Sequence, residues 1–269
     1  MNSIAFKQTL RRGDRAYGTL IISTSPRWPE EVRKLNLDFV FLDGEHMPLD
    51  RDRLSGLCRT YEAMNLATLV RIPSPDPVFA SMALDGGASG ILAPYIETAE
   101  QVRALAAATK LRPLKGEKAA AIVRGAEPDE GMKDYLADYN ARNLLMINIE
   151  SVPAVESLEE ILAVGWVDAV IIGPHDLSCS LGIPEQYDHP LFLDTVRTIM
   201  RKAAAAGVAS GIHYFFGIEQ EIEWMKGGMQ VLIHASDMTA FSARISSELN
   251  TIRTGVGDLI SRMDDRIHI

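Results

Sequence analysis

The chain has 269 residues, 47% of them hydrophobic, and a formal net charge of −9. That length supports one large core, and an acidic balance with scattered Lys and Arg excludes the basic footprint of a nucleic-acid or anionic-membrane surface. Its two cysteines, Cys58 and Cys179, lie far apart and outside any Cys-x-x-Cys pair, so neither a disulfide framework nor a structural zinc site is expected.

The opening stretch, MNSIAFKQTLRRGDRAYG, lacks the apolar core of a signal peptide, and no apolar run approaches the roughly 20 residues that span a bilayer. The expectation is a cytoplasmic protein with a small-molecule partner, no nucleic acid and no membrane. In chain order, short Val-, Ile- and Leu-rich runs recur at Tyr17–Ser23, Asp38–Leu42, Ala67–Ile72, Gly90–Ile96, Leu144–Ile149, Asp168–Gly173, Val208–Tyr214 and Gln230–Ala235. Near-continuous apolar runs of this length mark parallel strands buried on both faces. Between them LDRDRLSGLCRTYEAM, TAEQVRALAAATK, VESLEEILAV, FLDTVRTIMRKAAAAG and IEQEIEWMKGG carry helical spacing. Eight alternations predict an α/β fold of the closed (β/α)8 TIM-barrel type, in one domain spanning 1–269.

Two segments depart from the repeat. The stretch Arg112–Asn143, with LKGEK and PDEGMKDYLADYN, is long enough to be a lid, a subunit contact or a disordered surface loop. After the eighth run, Phe241, Ile245, Leu249, Ile252, Val256, Ile260 and Met263 recur at spacings of three and four, which predicts one long amphipathic helix within 238–269. Its stripe suits either closure of its own barrel or packing on a neighbouring subunit.

In such a barrel the site forms at the carboxyl ends of the strands. The polar residues just past the runs are Asp43-Gly44-Glu45-His46, Arg71, Asn148-Ile149-Glu150, Gly173-Pro174-His175-Asp176, His213 and Asp237. Glu150 and Asp176 follow adjacent strands and supply the hard oxygen donors that Mg²⁺ or Mn²⁺ prefers, leaving positions for a 2-oxo acid whose enolate the metal would stabilise. The alternative is a pair of buried acids bonded to Arg71, with no metal. Arg71 offers a planar fork for a carboxylate or a keto oxygen. His46 titrates in the range where one group both accepts and donates a proton, and Asp43, three residues earlier, is expected to hold its imidazole in one tautomer. The eight lysines all fall in predicted helices or loops, which argues against imine chemistry, and no strand-to-helix G-x-G-x-x-G is present for a dinucleotide.

With FVFLDGEHMPLD, LVRIPSPDP, LDGGASGILAPYIETAEQ, INIES and DAVIIGPHDLSCSLG in this order, the sequence from about Phe6 to Arg244 resembles the 2,4-dihydroxyhept-2-ene-1,7-dioate (HpcH/HpaI) aldolase family of metal-dependent class II pyruvate aldolases. The resemblance implies a barrel of the phosphoenolpyruvate/pyruvate-domain type whose last helix is swapped between subunits of a hexamer. It implies Glu150 and Asp176 as ligands of a divalent metal (Mg²⁺, Mn²⁺ or Co²⁺), His46 as the acid/base, Asp43 as its partner and Arg71 as the pyruvate-binding residue. Asn148, Pro174 and His175 are the further substrate-binding candidates. The implied reaction cleaves a 4-hydroxy-2-oxo acid to pyruvate and an aldehyde. A citrate lyase β-type lyase of a CoA ester and a non-catalytic binding barrel are the alternatives. Three departures concern the substrate: Asn148 stands where the family usually carries Gln, His175 replaces a small residue, and Pro113-Leu114-Lys115-Gly116-Glu117-Lys118 replaces a glycine- and arginine-containing loop.

Overall fold

The computed structural model describes residues 1–258. Its elements alternate along the chain as α1 (Ser3–Arg11), β1 (Ala16–Leu20), α2 (Trp28–Val32), β2 (Phe39–Asp43), α3 (Arg51–Ala63), β3 (Ala67–Arg71), α4 (Pro77–Gly86), β4 (Gly90–Ala93) and α5 (Ala99–Lys110). Then follow α6 (Gly116–Val123), α7 (Glu130–Tyr139), β5 (Leu144–Ile149), α8 (Val152–Glu156), α9 (Leu158–Leu162), β6 (Ala169–Ile172), α10 (Pro174–Ser180), α11 (Pro190–Ala205), β7 (Ala209–Tyr214), α12 (Ile218–Lys226), β8 (Val231–Ser236) and α13 (Asp237–Val256). The eight strands are parallel and close into a barrel in sequence order, β8 pairing back onto β1. The predicted (β/α)8 architecture is therefore present, with all eight runs in place as strands.

Because successive strand residues point to opposite sides, each apolar run feeds two cores. Phe39, Phe41, Leu69, Leu92, Leu144, Met146, Ile171 and Ile233 fill the barrel axis, where α1 contributes Phe6 and Leu10. Phe6 stacks on Phe39 at 4.7 Å between ring centroids and closes the bottom of the barrel. Val40, Leu42, Val70, Ile91, Leu145, Ile147, Val170 and Ile172 face outward into a second core against the helices. The same alternation carries polar residues inward at the top, since Asp43 shares parity with Phe41, Arg71 with Leu69, and Asn148 and Glu150 with Met146.

The stretch Arg112–Asn143 is ordered as α6 and α7, with Ala119, Ile122, Val123 and Leu136 buried in the outer core. The disordered-loop reading fails because these residues recur at helical spacing and find a core. Seven helices were not read from the sequence: α1, α2, α4, α6, α7, α8 and α10. Helix α4 is set by Asp76, which accepts from the Val78 N–H as its cap, and by Pro77 in its first turn.

Helix α13 begins at a capping box between Ser236 and Thr239 and ends at Gly257 in the left-handed conformation, yet none of its residues is buried. Met238, Phe241, Ile245, Leu249, Ile252 and Val256 are exposed, Phe241 to 63%. Closure of its own barrel is thus not what the stripe does; Ile260 and Met263 lie outside the described residues. The flank it leaves bare is visible on the strands: β2, β4, β5 and β6 are buried along their length, whereas Tyr17 on β1 and His234 on β8 are exposed. Among the described residues no helix is long and apolar enough to cross a membrane.

Candidate active site

Asp43 and Arg71 end β2 and β3 and pair directly across them. The Arg71 guanidinium donates to the Asp43 carboxylate from Nε at 2.9 Å and from Nη2 at 2.6 Å. Asp43 is buried and Arg71 partly so, at 3% and 13% side-chain exposure. Burial alone would raise the Asp43 pKa, but the Arg71 hydrogen bonds and charge, with the Glu45 N–H, outweigh it and hold the carboxyl below its usual range. The second carboxylate on Arg71 is that of Glu45, at 3.1 Å from Nε.

The expected contact between Asp43 and the His46 imidazole is not what the structure shows. Asp43 Oδ1 accepts from the backbone N–H groups of Glu45 and His46, at 2.9 and 3.4 Å, while both oxygens are taken by Arg71. The carboxylate nearest the imidazole is Glu45, at 3.7 Å from Nε2 of the half-exposed His46. Asp43 therefore fixes the loop and the arginine, and Glu45, which sequence reasoning left without a role, faces the histidine. Four consecutive polar or small residues carry no periodicity that would tell the two acids apart.

On the other side of the mouth, Glu150 accepts from the Tyr95 N–H at 2.8 Å and from the Asn148 side-chain amide at 2.7 Å. Burial pushes its pKa up, the two hydrogen bonds oppose that rise, and the charges of Asp176 and Glu45 add to it. Gly173 makes room for this carboxylate: a Cβ there would lie 2.7 Å from Glu150 Oε2. Asp176 is exposed in the first turn of α10, which starts at the buried Pro174.

Among the described residues no three His, Cys, Asp or Glu side chains converge into a ready-made metal cage. The donor set nevertheless fits a hard divalent ion that keeps water or ligand oxygens for half its shell. The charge of Asp176 is close enough to raise the cost of ionising Glu150, and the buried Asn148 Oδ1 beside Glu150 has no hydrogen-bond partner. Tyr95, also missed from sequence, stands at the rim. Glu45, together with burial and the charges of Glu150 and Asp176, pushes its phenol up to about 12.

The rival histidines lie differently. His213 on β7 shares its Nε2 with the Ala235 carbonyl at 3.2 Å and packs edge-on to Phe41. Burial, only partly offset by that carbonyl, pushes its pKa down to about 4, so the ring is neutral at pH 7 and Nε2–H is its donor. His175 is exposed, with Glu185 at 3.8 Å from Nδ1. Asp237 caps structure, not substrate: it accepts from the Ile22 and Ser23 N–H groups at 3.0 and 2.9 Å. The Pro113–Lys118 segment also lies away from the mouth, where Pro113, Leu114, Lys115 and Gly116 line a cavity of about 780 Å³ on the flank with Val78 and Ala107.

A family model for the HpcH/HpaI aldolase/citrate lyase family matches residues 17–243. The chain belongs to this family. The 2-keto-3-deoxy-L-rhamnonate aldolase of Escherichia coli (strain K12) is 32% identical over 206 residues, which is 77% of each chain. The crystal structure of an HpcH/HpaI aldolase from Desulfitobacterium hafniense DCB-2 superposes with a TM-score of 0.80 at 28% identity, over 92% of this chain and 96% of that one. The citrate synthase SbnG superposes with a TM-score of 0.81 at 25% identity, over 95% and 100%. This HpcH/HpaI chain is therefore an enzyme of a lyase family.

Proposed function

We propose that this enzyme is a class II aldolase that cleaves a 4-hydroxy-2-oxo acid to pyruvate and an aldehyde, with a divalent metal held by Glu150 and Asp176. The observation that carries the reading is a buried arginine fork facing paired carboxylates at one barrel mouth. Bound there, Mg²⁺, Mn²⁺ or Co²⁺ would supply Lewis-acid stabilisation to the enolate of the 2-oxo acid.

The chain's own groups do the rest. Arg71 spends Nε and Nη2 on Asp43, leaving Nη1 for the carboxylate or keto oxygen of the substrate. Asp43 holds that guanidinium in place. His46, at the rim with Glu45 behind it, moves the proton to and from the substrate oxygen. Asn148 presents an unpartnered buried Oδ1 beside Glu150, and Pro174 and His175 bound the pocket at the start of α10.

A CoA-ester lyase of the citrate lyase β type is less well supported, because a mouth carrying Glu45, Glu150 and Asp176 repels a polyanionic nucleotide. The stripe of α13 and the bare flank of β1 and β8 support exchange of the last helix between subunits, in a hexamer, with residues 238–269 as its assembly element. The free thiols of Cys58 and Cys179 suit a reducing cytoplasm.

Deuterium exchange into the methyl group of pyruvate tests the reading, because it needs enolate formation and no aldehyde. Exchange should require Mn²⁺ and vanish in Glu150→Gln and Asp176→Asn. Exchange that persists in a chelator, or in both variants, overturns it.

A further inference from the structure

We propose that the floor of the barrel carries a second binding site, a cavity walled by Lys7, Arg11, Lys110 and Asp168 that takes a phosphoryl dianion. The proposal does not depend on the aldolase reading, because the cavity lies at the amino ends of the strands, opposite the candidate active site.

Three parts of the chain meet there. Lys110 ends α5, Asp168 immediately precedes β6, and Lys7 and Arg11 lie on α1, the helix whose Phe6 closes the barrel bottom. Positions four apart on a helix are neighbours, so Lys7 and Arg11 stand side by side on one face of α1. With Trp166 and Gly207 these residues line a cavity of about 340 Å³.

The charges in this cavity do not balance. The Lys110 side chain is only 7% exposed, and its ammonium donates to the Asn143 carbonyl at 2.8 Å and to Asp168. Lys7 donates to the same Asn143 carbonyl at 3.1 Å. Two ammonium groups thus converge on one oxygen, an arrangement that their like charges oppose. Asp168 is the carboxylate in the cavity, and the oxygen it turns to Lys110 is shared with the Leu145 N–H at 2.7 Å. Arg12 is engaged by Asp14, whereas Arg11 has no carboxylate partner among the described residues. Three cations therefore meet one anion, in a chain whose net charge is −9. Burial, opposed by Asp168 and aided by Lys7, pushes the Lys110 ammonium down to about 8.

The donors left over define what would restore the balance. An ammonium has three N–H groups, and Lys110 and Lys7 each spend two on protein oxygens, Lys7 reaching the Ala141 carbonyl at 3.4 Å. One N–H remains on each, beside the planar fork of Arg11. A phosphoryl dianion matches the excess of two positive charges and presents three acceptor oxygens on one centre, the geometry an arginine fork binds bidentately. A carboxylate supplies half that charge, and a dicarboxylate places its second charge several bonds away. The indole of Trp166 offers an apolar wall for a small organic remainder.

Isothermal titration calorimetry of the full chain at fixed ionic strength tests the site, with inorganic phosphate, sn-glycerol 3-phosphate and succinate as probes. The wild type should bind one phosphoryl ligand per chain, about tenfold or more tighter than succinate, and the tighter of the two phosphoryl probes names the source. Arg11→Gln and Lys7→Gln should each weaken that binding about tenfold, the worth of one charge-assisted hydrogen bond. Asp176→Asn, at the other end of the barrel, should bind as the wild type does. Arg11 is exposed, so its replacement leaves the fold intact, which thermal unfolding verifies. Absence of saturable phosphoryl binding, affinity no better than that of succinate, or affinity unchanged in Arg11→Gln overturns the inference. Affinity lost in Asp176→Asn also overturns it, by placing the phosphate at the mouth.

Discussion

Arg71 and Asp43, opposite one another on neighbouring strands, are joined by two parallel hydrogen bonds from one guanidinium to one carboxylate. A bidentate pair of this kind fixes the plane of the arginine as well as its position. Nη1, which Asp43 leaves free, is therefore aimed before any ligand arrives.

Removing one partner of a buried ion pair strands the other, at a cost of about 3–5 kcal/mol. Asp43→Asn should lose stability on that scale in urea titrations at pH 7. The pH dependence follows from the lowered Asp43 pKa. Its contribution is complete above the ordinary 3.8 and fades as pH falls through the lower folded value. Wild type and Asp43→Asn should accordingly differ by a constant amount at neutral pH and converge only below about pH 4. A variant within 1 kcal/mol of wild type at pH 7 would show that Glu45 alone satisfies Arg71.

Gly173→Ala should weaken the proposed metal site without replacing a ligand. The new Cβ would stand 2.7 Å from Glu150 Oε2 and 3.1 Å from Glu150 Cβ, and the carboxylate is pinned by Tyr95 and Asn148. Loss of a supporting contact around a metal ligand typically costs 10–100-fold in affinity. Calorimetric titration with Mn²⁺ reads this directly, and an unchanged Kd would refute it.

His46→Ala should slow aldol cleavage by about 10²–10⁴-fold, the usual worth of a general acid–base group. Pyruvate and Mn²⁺ binding should survive, because Arg71, Glu150 and Asp176 remain. His213→Ala and His175→Ala serve as comparisons: the former ring is neutral and committed to Ala235, and the latter is exposed beside Glu185. Near wild-type turnover in His46→Ala with collapse in either of the others would move the role.

A chain truncated after Thr239 removes the apolar stripe from Phe241 onward. It should lose its assembly or its solubility in light scattering. A truncated protein that stays a well-folded oligomer would show that the helix is dispensable for association.

The barrel was legible because its strands are buried on both faces and so read as unbroken apolar runs; Leu144–Ile149 coincides with β5 residue for residue. Strand parity likewise carried Asp43, Arg71 and Asn148 to the mouth. Partners within the site were less legible. Glu45 and Asp43 are two residues apart, and only the backbone turn decides which carboxylate meets Arg71 broadside and which faces His46. Tyr95 gave no signal because its left-handed backbone is held by Glu150, remote in sequence, and by the side chain of Gln101, where a glycine would have announced the turn. The periodicity of α13 located an apolar face but not its cover, since spacing says which side of a helix avoids water and nothing about whose surface it meets.

Glu150 owes one of its two anchors to a main-chain N–H, and Asp43 receives two such bonds besides its arginine. Every amino acid but proline supplies that donor. Genetic drift at positions 45 and 95 can therefore exchange side chains that line the rim while these backbone anchors persist. Inheritance of the enolate machinery and diversification of what it is joined to are, in this barrel, written in separate atoms of the same residues.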